Sequence, residues 1–108
     1  MKDFGLNEMQ EMQKELQAKY KDQWEPIEPA TGKNKMLWLI GELGEVIDIV
    51  KKNGHKDVTE NEELRKELVE ELADVMMYYN DVLACYDITT MELKEAYITK
   101  FESNMKRW

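Results

Sequence analysis

Two stretches decide the fold: residues 34–53, NKMLWLIGELGEVIDIVKKN, and residues 60–86, ENEELRKELVEELADVMMYYNDVLACY. In the first, Met36, Ile40, Leu43, Ile47 and Val50 recur at spacings of four and three. That is the period of a helix with one apolar stripe, and the stripe is expected to be its core face. Lys51 and Lys52 fall in the last turn and Gly54 just beyond it, the chemistry of a helix C-terminus. In the second stretch Leu64, Leu68, Leu72, Val75, Tyr79 and Leu83 make the corresponding stripe, and Thr59 with Glu62 reads as a capping box.

Working outward, the chain is punctuated at Glu25–Gly32, which holds both prolines (Pro26 and Pro29), at Asn53–Asp57, and at Asp87–Thr89. Before the first break, Met9, Leu16 and Tyr20 have helical spacing, and Asn7 with Gln10 resembles a capping box, so a helix is expected over about Asn7–Trp24. After the last break, Thr89 and Glu92 open a helix that runs nearly to the end. No segment shows the β-branched alternation of a strand. The expected fold is an all-α bundle in one domain covering residues 1–108.

Composition narrows the function classes. The net charge is −8, with 35% of residues charged, so the chain lacks the basic face that neutralises duplex nucleic acid. A phosphorylated small molecule is still compatible, because divalent cations can bridge it to carboxylates. The start of the chain has no apolar signal core, and no run approaches the roughly 20 apolar residues of a membrane span. The single cysteine, Cys85, has no thiol partner, which fits a reducing compartment. A cytoplasmic protein without membrane contact is expected.

The acids carry the chemistry. In the first stretch Trp38, Glu42, Glu45 and Ile49 line up at spacings of four, three and four, nearly opposite the apolar stripe. A solvated face would not usually combine two glutamates with a tryptophan and an isoleucine, so this face reads as a second contact surface or a pocket wall. In the second stretch Glu71 sits at the edge of the core stripe, between Leu68 and Val75, with Asp74 and Tyr78 beside it. A carboxylate at the margin of a buried face needs a partner. Two carboxylates about 5 Å apart repel by roughly 3 kcal/mol at an effective dielectric of about 20, so four that converge need protons or cations. Oxygen-only ligation selects hard cations, Mg²⁺ or Mn²⁺. His55 is the only histidine and falls in an expected loop, which argues against a di-iron Glu-x-x-His bundle and against catalytic zinc.

Gly41-Glu42-Leu43-Gly44-Glu45-Val46, followed by Glu70-Glu71-Leu72-Ala73-Asp74-Val75, resembles the MazG-like nucleotide pyrophosphohydrolases. These belong to the all-α NTP pyrophosphatase superfamily, with the dimeric dUTPases and the phosphoribosyl-ATP pyrophosphatases. The family pattern is E-x-x-E, a spacer, then E-x-x-D; here 25 residues separate Glu45 from Glu71. The resemblance covers about Lys33 to Trp108. One position departs: many family members read E-E-x-x-E, and Gly41 stands where the first acid would be.

The resemblance implies a four- to five-helix bundle that assembles as a homodimer or homotetramer, with sites near the subunit interface. It implies Mg²⁺-dependent hydrolysis of a nucleoside triphosphate to the monophosphate and pyrophosphate, in housecleaning of the nucleotide pool. Glu42, Glu45, Glu71 and Asp74 would be the metal ligands, and Glu42 or Glu45 would take the proton of the attacking water. Lys100, Asn104 and Arg107, on one face of the last helix, would clamp phosphate. Trp38 and Tyr78 would stack on the base, with Trp24 contributing from the loop. Lys33 and Lys35, which open the second helix, could reach phosphate from the other side but read more simply as ordinary surface lysines. The competing classes are a non-catalytic nucleotide-binding or regulatory module on the same scaffold and a purely structural helical protein.

Overall fold

The computed structural model describes residues 3–107. Among them are five α-helices and no strand: α1 (Leu6–Lys19), α2 (Gly32–Asn53), α3 (His55–Glu60), α4 (Glu62–Cys85) and α5 (Thr90–Arg107), with a 3₁₀ turn at Pro29–Thr31 before α2. The all-α class is as expected. No described helix is long and apolar enough to cross a membrane.

The helix ends follow local chemistry, sometimes with other residues than the sequence suggested. At the start of α1 the Gly5 amide donates to Glu8 Oε2 at 2.9 Å, so Glu8 rather than Gln10 reaches back over the first turn. The helix stops at Lys19, and the following turn stacks the Tyr20 and Trp24 rings with centroids 4.6 Å apart. Gly54 ends α2 with φ at +86°, a conformation that suits glycine, while its amide donates to the Val50 carbonyl at 2.7 Å. The chain then re-enters helix at once. His55 opens α3 instead of lying in a loop, and Val58 from this one short helix is fully buried. The Thr59 hydroxyl donates backwards to the His55 carbonyl at 2.7 Å, so it cannot cap α4. Asn61 does so, its Oδ1 accepting from the Leu64 amide at 3.0 Å. The expected cap at Thr89 is present, its hydroxyl accepting from the Glu92 amide at 3.1 Å.

α2 and α4 form the spine. They run antiparallel, since Trp38 meets Tyr78 while Glu42, further along α2, meets Glu71, earlier in α4. α3 closes one end of the pair, and α1 lies against α4 near the other. The buried apolar residues are few: Val46, Val58, Leu83 and Cys85. At the α2 start the backbone of Gly32 passes so close to the Tyr86 ring that a Cβ there would collide with it.

The expected core stripe of α2 is corrected by the structure. Met36, Ile40, Leu43 and Ile47 are exposed, Ile40 by 65% and Ile47 by 57%. The residues turned toward α4 are Lys35, Leu39, Glu42, Val46, Ile49 and Asn53, every one buried or half-buried. The reason is the pair of stripes that α2 carries. Periodicity shows both and does not say which one meets the intrachain neighbour. The stripe with the carboxylate turns inward and the more apolar one outward. Leu72 of α4 is exposed as well. α5 has no buried residue, and its Tyr97, Phe101 and Met105 face away from the rest of the chain.

Candidate metal centre

The inward stripe of α2 and the facing turns of α4 bring three carboxylates together. One oxygen each from Glu42, Glu45 and Glu71 lie within 4.8 Å of one another. The spacing follows from the helices: Glu42 and Glu45 are three residues apart on α2, so both reach the same gap, and Glu71 enters it from α4. Asp74, one turn further along α4, lies outside that tight group but close enough for its charge to act on Glu42 and Glu71.

The electrostatics are those of an acid cluster lacking a counter-charge. Desolvation raises the Glu42 carboxyl above the ordinary carboxylate range, and the neighbouring charges of Glu45, Asp74 and Glu71 push it further. Glu71 is raised for the same reasons: burial first, then Glu45 and Asp74. Glu42 Oε2 and Glu71 Oε2 are both enclosed, and neither meets a hydrogen-bond donor among the described residues. A buried polar atom left unpaired in this way is costly. A hard divalent cation fits the set. The donors are all carboxylate oxygens, two of them enclosed, which is the chemistry such a cation takes.

Beside the carboxylates is a cavity of about 530 Å³ bordered by Asp74, Tyr78, Trp38, Trp24, Lys35 and Asp81. Trp38 and Tyr78, singled out from sequence, stand together with nearly parallel rings, 6.3 Å between centroids and 11° between planes. Trp24 also lines the cavity. Desolvation and then the charge of Glu42 raise the Tyr78 phenol, so it stays protonated and able to donate.

The far end of this cavity holds residues that the sequence reading passed over. Asp81 is buried to 3% exposure and accepts three hydrogen bonds from α1. Gln13 Nε2 donates to Oδ1 at 3.0 Å, and Gln17 Nε2 donates to both oxygens at 3.1 Å. Burial raises the Asp81 carboxyl, while those hydrogen bonds and the nearby charge of Lys35 act the other way. Lys35 is no surface lysine; it is 6% exposed, whereas Lys33 is exposed as expected. A signal was available, since Asp74, Tyr78 and Asp81 share one face of α4 at spacings of four and three, and Gln13 and Gln17 are one turn apart.

Lys100, Asn104 and Arg107 stand apart from this assembly. They lie on the exposed last turns of α5 and belong neither to the carboxylate cluster nor to the cavity of the same chain.

Comparison with known families gives one match: the model described as the MazG nucleotide pyrophosphohydrolase domain fits residues 30–106. The matched stretch holds α2, α3, α4 and nearly all of α5, and leaves α1 outside it. Comparison with curated proteins and with solved structures returns no match.

Proposed function

Since the chain belongs to the MazG nucleotide pyrophosphohydrolase family, we propose that it hydrolyses a ribo- or deoxynucleoside triphosphate at the α–β anhydride. The products are the monophosphate and pyrophosphate, and the role is housecleaning of the nucleotide pool. The observation that carries this reading is the pair of enclosed, unpartnered oxygens, Glu42 Oε2 and Glu71 Oε2, inside a knot of three carboxylates. Such a group asks for a cation, and a triphosphate is a natural partner for one.

Glu42, Glu45, Glu71 and Asp74 would hold Mg²⁺, or Mn²⁺ as a substitute suited to the same oxygen set. When bound, the ion offsets the triphosphate charge, orients the leaving pyrophosphate and makes water more acidic. Glu42 or Glu45 takes the proton as water adds and the anhydride bond breaks. Glu45 is the exposed member of the pair, so it can pass that proton on to solvent. Trp38 and Tyr78 hold the base against their ring faces. The Tyr78 hydroxyl remains a hydrogen-bond donor near the cluster.

Two copies of the chain complete the site. The exposed stripe Met36, Ile40, Leu43 and Ile47 and the apolar residues of α5 make a surface too apolar to be left in water. Pairing as a homodimer, or as a tetramer built from dimers, covers it. In that assembly α5 of one copy crosses to the other and brings Lys100, Asn104 and Arg107 to the triphosphate.

The test is incubation with Mg²⁺ and a panel of ribo- and deoxynucleoside triphosphates, with chromatography for monophosphate and pyrophosphate together. Glu42→Gln and Asp74→Asn should each abolish turnover while far-ultraviolet circular dichroism keeps its helical signal. Release of orthophosphate and diphosphate would contradict the bond assignment. Retained turnover in both variants would remove the carboxylates from the reaction.

A further inference from the structure

The polar end of the larger cavity is built for recognition. Three of its side chains, Asp81, Lys35 and Gln13, are more than nine-tenths buried, and they come from three different helices. Asp74 and the Trp38–Tyr78 pair line the same cavity, so it opens on the carboxylate cluster at one side and ends on Asp81 and its glutamines at the other.

The hydrogen-bond inventory fixes what that end offers. A carboxylate has about four acceptor directions and no donor. Asp81 spends three of them on glutamine N–H groups, two on Oδ1 and one on Oδ2. One direction is left, on Oδ2. Because Asp81 can only accept, it holds both glutamine amides with nitrogen toward it and their carbonyl oxygens turned elsewhere. Neither carbonyl has a partner among the described residues, and neither is enclosed. At this end of the cavity Asp81 therefore offers one free acceptor direction, on Oδ2, and the Lys35 ammonium is the charged donor.

The geometry points to Asp81, with Gln13, Gln17 and Lys35, as a reader of the nucleotide base that selects an amidine edge, the exocyclic amino group beside a ring nitrogen found in cytosine and adenine. This rests on the reading of the carboxylates as the triphosphate site and extends it to the class of base. The exocyclic amino group donates to the free direction on Asp81 Oδ2, and the adjacent ring nitrogen accepts from Lys35. Uracil and hypoxanthine put a carbonyl where the amino group would be. In the same pose they set that carbonyl against the Asp81 carboxylate and the ring N–H against the Lys35 ammonium. A site built to bind a donor rejects the analogue that lacks it, because its own buried acceptors are then left unpaired. α1, which supplies both glutamines, lies outside the stretch matched by the family, whereas Lys35 and Asp81 lie inside it.

Two measurements on the full chain with Mg²⁺ test it. The first compares kcat/KM for the matched pairs CTP with UTP and ATP with ITP. The second compares binding of CMP and UMP by tryptophan fluorescence, which needs no hydrolysis. The amino member of each pair should win by about 10- to 100-fold, the range for a hydrogen bond to a charged group. Asp81→Asn, checked for helical content, should level or reverse the ratios, since an amide presents a donor where the carboxylate presented an acceptor. Hydrolysis with equal rates within each pair would overturn the base assignment and leave the pyrophosphohydrolase reading standing. Preferential CMP binding with no hydrolysis would do the opposite. Neither binding nor hydrolysis would overturn both, and an Asp81→Asn protein that keeps the wild-type ratios would remove Asp81 from the role.

Discussion

Replacing Glu42 by glutamine should shift stability in opposite directions with and without metal. Glu42, Glu45 and Glu71 place carboxylate oxygens within 4.8 Å of one another. Two unit charges at that distance repel by about 3.5 kcal/mol at an effective dielectric of about 20, and by about 0.9 kcal/mol in water. Glu42 is only half-buried, so the screened end of this range applies, and removing its charge should relieve about 1–2 kcal/mol. The amide also gives the enclosed Oε2 position a chance to become an N–H donor toward Glu71 or Glu45. In chelator the variant should therefore melt higher than wild type, by on the order of 5 °C for a domain of this size. Mg²⁺ reverses the order. At about 100 times its dissociation constant it would stabilise the wild type by about 2.7 kcal/mol, and the variant, lacking a ligand, should gain little. Scanning calorimetry at one fixed protein concentration reads both arms. A variant that melts lower in chelator, or gains as much as wild type from Mg²⁺, would refute the crowded-carboxylate account.

Three further outcomes are expected. Glu42 and Glu71 bind protons more tightly folded than unfolded, so in chelator the stability they contribute is complete below the ordinary carboxylate value and is lost as pH rises through their raised values. Mg²⁺ should abolish that slope, which thermal melts in acetate and citrate-free buffers across the carboxylate range will show. Ile40→Glu, on the exposed α2 stripe, should break the proposed homodimer or tetramer into monomers by light scattering without lowering the helical signal. Gly41 has open space where a Cβ would go, so Gly41→Glu should stabilise α2 by about 0.5 kcal/mol and tighten Mg²⁺ binding; denaturant titration and calorimetry measure the two effects.

Much of the molecule was legible in its sequence because helices announce themselves through a period and through their ends. Breaks and caps were read from residue type, and where the reading slipped it did so by one local competitor. Thr59 turned its hydroxyl onto its own helix, so Asn61 became the cap of α4. His55 entered a helix of six residues, too short for periodicity to register. The carboxylate cluster was legible because E-x-x-E and E-x-x-D put acids on one face of each helix. What periodicity could not decide was orientation. α2 has two ordered stripes, and the one with more apolar residues, from Met36 to Ile47, faces outward because the inward position is occupied by Glu42 and its neighbours. Nor could Asp81 be told from a surface acid without knowing that Gln13 and Gln17, more than sixty residues away, come to rest on it.

The seating of α1 has a dynamic consequence. The only described residues that it buries are Gln10 and Gln13, and Gln10 Nε2 is left without a partner. A helix attached through carboxamides gains less on docking than one attached through leucines, since exchange with water offsets most of each hydrogen bond. Its opening free energy should lie well below that of α2 and α4, which makes it a separate unit in amide hydrogen exchange. A nucleotide seated against Gln13 and Gln17 would raise that opening energy without touching the spine. Protection of the α1 amides would then gauge occupancy, and the helix would act as a latch whose closed fraction the substrate sets.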